Sequence, residues 1–168
     1  MSRPVVKQQS VDVPFRHLRT VIEGTMQARV LLIEDDRVVQ NLLRELLSEE
    51  GYRVLVADAT LDPVDVSQLR PNLVLLDLWF GGAAWGLDWL RELRVTPGAR
   101  CIPVIVCTAD ARLIRLEAEQ LRSLADDVIL KPFDLDDVVA RVAAALSARA
   151  ARNLTPPVSS IAPRLGAD

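Results

Sequence analysis

Histidine is almost missing from this chain: His17 is the only one in 168 residues. Histidine metal ligation, a Ser-His-Asp type triad and a phosphohistidine relay within the chain therefore have next to nothing to be built from. Its place in a peripheral segment predicts solvent exposure. Cysteine is as scarce, with only Cys101 and Cys107. They flank or sit inside one predicted strand and point away from each other along it. They read as reduced thiols of a cytoplasmic protein, with Cys107 a small core residue. No apolar stretch approaches the roughly 18 residues that span a bilayer. Arg3 and Lys7 precede no apolar h-region, so neither a membrane partner nor secretion is expected. Excess basic charge is absent too. The net charge is −3, and no basic stripe or nucleic-acid-binding motif is present, so no nucleic-acid partner is expected.

What the chain does have is regular. Half its residues are apolar and a quarter are charged with signs interspersed, and its length suits one ordinary domain plus extra segments. Four short apolar runs each end in a residue suited to phosphate or metal chemistry. They are VLLI before Glu34-Asp35-Asp36, LVLL before Asp77, VIVC before Thr108, and VIL before Lys131-Pro132. Short Leu-rich and β-branched runs read as strands buried on both faces, the mark of a parallel sheet.

Strands are predicted at Arg29–Ile33, Arg53–Ala57, Leu73–Asp77, Ile102–Thr108 and Val128–Lys131. Between them lie a helix with Val38, Val39, Leu42, Leu43, Leu46 and Leu47 on one face, stopped by Gly51, and a short one opened by Asp62-Pro63 and ended by Pro71. A helix around Leu87–Leu93 and another from about Ala111 to Leu124 follow. The last carries Leu135, Val138, Val139, Val142 and Leu146. Five strands alternating with five helices make a doubly wound α/β domain with a five-stranded parallel sheet, because parallel strands need crossover connections.

Residues 28–150 form this domain. Residues 1–27 are an extension with two readings. Phe15, Leu18, Val21 and Ile22 recur at helical spacing after Pro14, as in a short amphipathic helix. Alternatively, translation starts at Met26 and residues 1–25 are poorly ordered. Residues 151–168 are Pro- and Ser-rich and read as a disordered tail.

Ligand sites in open parallel sheets gather at the carboxyl ends of the strands. Glu34, Asp35, Asp77, Thr108 and Lys131 should therefore converge on one edge. At about 4 Å and an effective dielectric near 20, each carboxylate pair repels by roughly 4 kcal/mol. Such a cost is out of proportion to a marginally stable fold unless the cluster serves a function. A divalent cation relieves it, as does protonation of one carboxyl. Hard oxygen donors on a partly open edge suit Mg²⁺. Asp77, between metal and Lys131, is placed for in-line attack on a phosphoryl group, with Thr108 donating a hydrogen bond. Asp36 reads as a helix N-terminal residue, favoured there by the helix dipole.

The stretches VLLIEDD, LVLLDL, VIVCTAD and VILKPF resemble the receiver domain of two-component response regulators, over roughly residues 28–150, and in particular a stand-alone, chemotaxis-type receiver with no attached output domain. The resemblance implies a flavodoxin-like sheet of order 2-1-3-4-5 and Mg²⁺ as cofactor. It implies a sensor histidine kinase or phosphotransfer protein as phosphodonor to Asp77, and a downstream protein partner of unknown identity. Glu34 and Asp35 match the acidic pair that handles the metal, Thr108 the hydroxyl that contacts the phosphoryl group, and Lys131 the ammonium. It further implies a cis Lys131–Pro132 bond and metal ligation by the Trp79 backbone carbonyl. No turnover is expected beyond phosphorylation and dephosphorylation of the chain itself.

Three features depart from the family pattern. Asp77 is followed by LWFGGAAWGLD, with Gly81 where Pro is usual and one extra residue before Gly86. Trp79, Phe80, Trp85 and Trp89 place four of the chain's seven aromatics in this window, to pack the loop and the following helix or to cover the site or meet a partner. Val128 stands where an aromatic switch residue is usual, so the usual coupling of Thr to a turning ring cannot operate. These departures leave a second reading, a degenerate receiver serving as a phosphorylation-independent scaffold. A phosphohydrolase of the haloacid-dehalogenase type is disfavoured, because Trp79 occupies the position of its second Asp.

Overall fold

The computed structural model describes residues 27–58, 60–80 and 85–154. The expectations for residues 1–26, including exposure of His17, and for the tail from residue 155 lie outside the described residues. Within them the elements run β1 (Arg29–Ile33), α1 (Arg37–Glu49), β2 (Arg53–Ala57), α2 (Pro63–Leu69), β3 (Leu73–Leu76) and α3 (Gly86–Val95). There follow β4 (Val104–Thr108), α4 (Ala111–Leu116), α5 (Ala118–Leu124), β5 (Asp127–Leu130) and α6 (Leu135–Leu154). All neighbouring strands pair in parallel in the order β2-β1-β3-β4-β5. The fold is the flavodoxin-like one expected.

Alternation along each strand divides the core in two. Val30 and Leu32 of β1, Leu73 and Leu75 of β3, and Ile105 and Cys107 of β4 face α1 and α6, meeting Leu43, Leu47, Val138 and Val142. Leu31, Ile33, Val74, Leu76, Val104 and Val106 face the other way, onto Val66 of α2, Leu90 and Leu93 of α3 and Leu121 of α5. Cys107 is buried and Cys101 exposed. Four helices start on aspartate caps. Asp36 accepts from the Val38 and Val39 N–H groups, Asp62 from Val64, Asp110 from Arg112 and Leu113, and Asp134 from Asp136. Each satisfies a donor that the first helical turn leaves unpaired. Gly51 has φ +86, as a helix stop requires.

Several boundaries differ from the sequence reading. The stretch from Ala111 to Leu124 is two helices meeting at Glu117, whose φ of −106° breaks the regular run. α4 has no buried residue to hold it in one continuous helix, whereas α5 is anchored by Leu121. β3 ends at Leu76 and β5 starts at Asp127. α6 continues four residues past 150 to Leu154. Its Ala-rich end favours helix, so the disordered tail expected from 151 does not begin there.

The end of the sheet away from the strand C-termini is closed by Arg94. Its guanidinium donates to the carbonyls of Leu124, Arg100 and Ile102 and to the Asp126 carboxylate, which also accepts from the Val104 N–H. No helix among the described residues is long and apolar enough to cross a membrane.

Candidate functional site

Parallel register carries the ends of β1, β3 and β4 to one edge. The Asp77 N–H donates to the Ile33 carbonyl at 2.9 Å, which sets Asp77 beside Glu34. The Lys131 N–H donates to the Thr108 carbonyl at 2.8 Å, which brings the chain after β5 to the same edge. The peptide before Pro132 is cis, as the resemblance implies.

The Lys131 ammonium donates to Glu34 Oε2 and to Asp77 Oδ2, both at 2.7 Å. Asp77 Oδ1 accepts from the Trp79 backbone N–H at 3.0 Å, so both oxygens of this 6% exposed carboxylate are held. Glu34 is 1% exposed. Its Oε1 accepts from the Asp36 N–H at 3.3 Å, and its backbone carbonyl accepts from the Gln40 side-chain amide at 2.8 Å. Burial pushes the Glu34 carboxyl up to about 7; the hydrogen bond and charge of Lys131 oppose this and the Asp77 charge adds to it. Burial acts to lower the Lys131 ammonium, but its bonds to Asp77 and Glu34 outweigh it and hold the group above the ordinary lysine value. One ammonium cannot balance three carboxylates.

Glu34, Asp35 and Asp77 each offer an oxygen within 4.8 Å of the others. Asp35 stands exposed at the rim while the other two are buried. Three hard oxygen donors, with a cleft of about 500 Å³ open beside them, fit a divalent cation that keeps water or phosphate oxygens in its remaining positions. Trp79, with 44% of its surface exposed, lines that cleft.

Glu34, Asp35, Asp77, Trp79 and Lys131 are thus brought together as expected. Thr108 is fully buried at the end of β4, with its hydroxyl accepting from the Asp110 N–H at 3.2 Å. The cleft wall there is made by Ala109 and Asp110. Asp36 serves as a helix cap. The other window aromatics pack. Phe80 meets Trp85 edge-on at 5.7 Å, Trp85 meets Trp89 at 6.2 Å, and the Trp89 indole N–H donates to the Leu61 carbonyl at 2.7 Å. Sequence reasoning missed Asp110 and Gln40. Asp110, between a strand end and a helix start, could have been found as a cap; Gln40 left no signal, because its bond depends on how the turn folds back.

Comparison with known proteins agrees with this geometry. The sequence matches the response regulator receiver domain family over residues 30–143. It is 38% identical over 123 residues to the DNA-binding response regulator MtrA of Mycobacterium tuberculosis, covering 73% of this chain and 52% of MtrA. The chain thus spans about half the length of that relative. The receiver domain of NtrX from Brucella abortus superposes with a TM-score of 0.61 at 28% identity, covering 70% of this chain and 98% of that one. The receiver domain of the sensor histidine kinase PA1611 from Pseudomonas aeruginosa, solved with magnesium in its active-site cleft, shares the fold at 24% identity. Its TM-score is 0.63, with 73% and 99% of the two chains covered. In sequence, sheet order and the meeting of its acidic and lysine side chains, the chain belongs to the response regulator receiver domain family.

Proposed function

We propose that Asp77 accepts a phosphoryl group from the phosphohistidine of a sensor kinase or phosphotransfer protein. The observation that carries this is the Asp77 carboxylate, nearly buried yet lining the cleft, with one oxygen on the Trp79 N–H and the other on the Lys131 ammonium. These partners fix its rotamer, so little orientational freedom is lost on attack. An Asp77 oxygen forms the new O–P bond as the P–N bond of the donor breaks, and the electron pair stays on the departing nitrogen. Lys131 opposes charge on the phosphoryl oxygens as a compact ammonium. The Thr108 hydroxyl, buried behind Ala109 and Asp110 in this structure, keeps its own proton and would donate it to one of them after turning toward the cleft. Mg²⁺, held by Glu34, Asp35, Asp77 and the Trp79 carbonyl, would supply further positive charge against the same oxygens. The chain is a reactant in this step and turns over no separate substrate.

Acetyl phosphate with Mg²⁺ should add one phosphoryl group, read by intact mass, and Asp77→Asn should abolish the addition. Undiminished addition to the variant would move the site elsewhere. No addition to the wild type would leave the scaffold reading, for which Val128 and the altered loop speak.

A further inference from the structure

The outer side of α1 carries apolar residues where a surface helix ordinarily presents polar ones. Val38 is 77% exposed and Leu42 43%, and Val39 and Leu46 are half-buried beside them. Val39 and Leu42 form one wall of an open groove of about 470 Å³, and Pro132, Phe133 and Leu135, where the chain enters α6, form the other. The groove has room for a phenylalanine and a leucine side chain together. Asp134 and Asp136 stand exposed on its α6 side. Val39, Ala109 and Lys131 belong both to this groove and to the phosphosite cleft.

The chain itself supplies a matching segment, outside the described residues. Phe15, Leu18, Val21 and Ile22 make an apolar stripe at helical spacing, with Pro14 before it and Gly24 after it, where a helix start and stop belong. Arg16 and Arg19 fall along one edge of that stripe. The point where the segment joins the domain is fixed. The Gln27 side-chain amide donates to the Gly51 carbonyl at 2.9 Å, just past the end of α1. Counting back from that anchor along a helix parallel to α1 sets Ile22 beside Leu46, Leu18 beside Leu42 and Phe15 beside Val39. From Phe15 to Ile22 is about 10 Å at the helical rise, the same length of α1 that separates Val39 from Leu46. Residues 23–26, which reach about 13 Å when extended, suffice for the turn between.

We propose that residues 14–23 fold back as an amphipathic helix into the groove between α1 and the start of α6. Phe15 and Leu18 fill the groove, and Arg16 and Arg19 are drawn to its acidic rim. The helix then stands beside the mouth of the phosphosite cleft, and any partner that uses this face of α1 must first displace it. The inference is independent of the chemistry at Asp77.

Disulfide trapping in the full chain tests the register, with Cys101→Ser removing the exposed native thiol. Under mild oxidation Leu18→Cys with Leu42→Cys should close a bond within the monomer. Thr20→Cys with Leu42→Cys, which places the first thiol on the opposite side of the helix, should close far more slowly. Amide hydrogen exchange tests the cover without new thiols. Phe15→Asp with Leu18→Asp lies outside the folded core, so the sheet should keep its protection while residues 38–46 and 133–139 exchange several-fold faster than in the wild type. Equal closure of the two thiol pairs, or exchange unchanged by the aspartates, overturns the proposal. A Leu18–Leu42 pair that closes only between two chains also overturns it, because the occupant is then the segment of a second copy.

Discussion

Asp35 and Glu34 carry the same charge and stand one residue apart, yet their environments separate their roles. Glu34 is buried and paired with Lys131, so neutralising it also strips Lys131 of a partner. Asp35 is at the rim and adds negative charge to a cluster already in excess. Asp35→Asn should therefore weaken Mg²⁺ binding at least tenfold, an order-of-magnitude expectation for losing a charged oxygen ligand, while the metal-free protein melts higher because repulsion falls. Trp79 fluorescence reads the first and thermal denaturation in EDTA the second; unchanged affinity with a lower melting temperature would contradict the cluster argument. The two thiols offer a second contrast. Burial pushes Cys107 up to about 12, and its sulfur is shielded, whereas Cys101 is exposed. A thiolate-directed reagent at pH 8 should modify one cysteine in the native protein and the second only after denaturation. Fast modification of both would mean that β4 opens readily.

At the scale of elements, the start of α3 lies close against the end of β3. A Cβ on Gly86 would come within 2.5 Å of the Asp77 carbonyl oxygen and 2.6 Å of Leu78 Cα, both backbone atoms. The Gly86 N–H also donates to the Leu78 carbonyl at 3.0 Å. Gly86→Ala should destabilise the fold by about 2–3 kcal/mol, because neither side of the contact can yield like a flexible side chain. Urea unfolding measures it, and a loss under about 0.5 kcal/mol, ordinary for surface changes, would show that α3 can slide. The site was legible in sequence at this level because the strands end where the continuous apolar runs end. Asp77, Thr108 and Lys131 each closed a short buried run, and parallel topology did the rest. Less was legible where local pattern and tertiary contact diverge. The residues from Ala111 to Leu124 repeat well enough for one helix, but α4 finds no buried anchor. Gln40 and Arg94 act through bonds to backbone carbonyls distant from their own turn, and no spacing rule announces such partners.

Across the whole molecule, one path of contacts leaves Asp77 through the loop after β3, opposite its ion pair with Lys131. Its Oδ1 holds Trp79; Phe80 packs on Trp85, Trp85 on Trp89, and Trp89 bonds Leu61 just before α2. On the other side Val128 is part-buried on β5 against the same core layer. A valine has one χ angle and a strong rotamer preference, so it provides no large two-state swing. Phosphorylation adds about −1.5 to −2 charge. Amide hydrogen exchange with a beryllofluoride mimic should change at residues 79–80, through α3 and around Leu61. β5 and α6 should stay close to their unmodified rates. Changes concentrated at Val128 and α6, with α3 silent, would reverse this picture.

The Arg94 clasp decides what kind of movement that signal becomes. α3 begins against Asp77 and ends one residue past Arg94, whose guanidinium is tied to the last turn of α5 and to the turn before β4. The far end is a pivot. Over ten residues, about 15 Å of helix, a push of roughly 1 Å at Gly86 turns α3 through about 4° instead of translating it. Displacement is then greatest in the first turn of α3 and vanishes at Arg94, so a partner that senses the angle of this helix must grip it near the site.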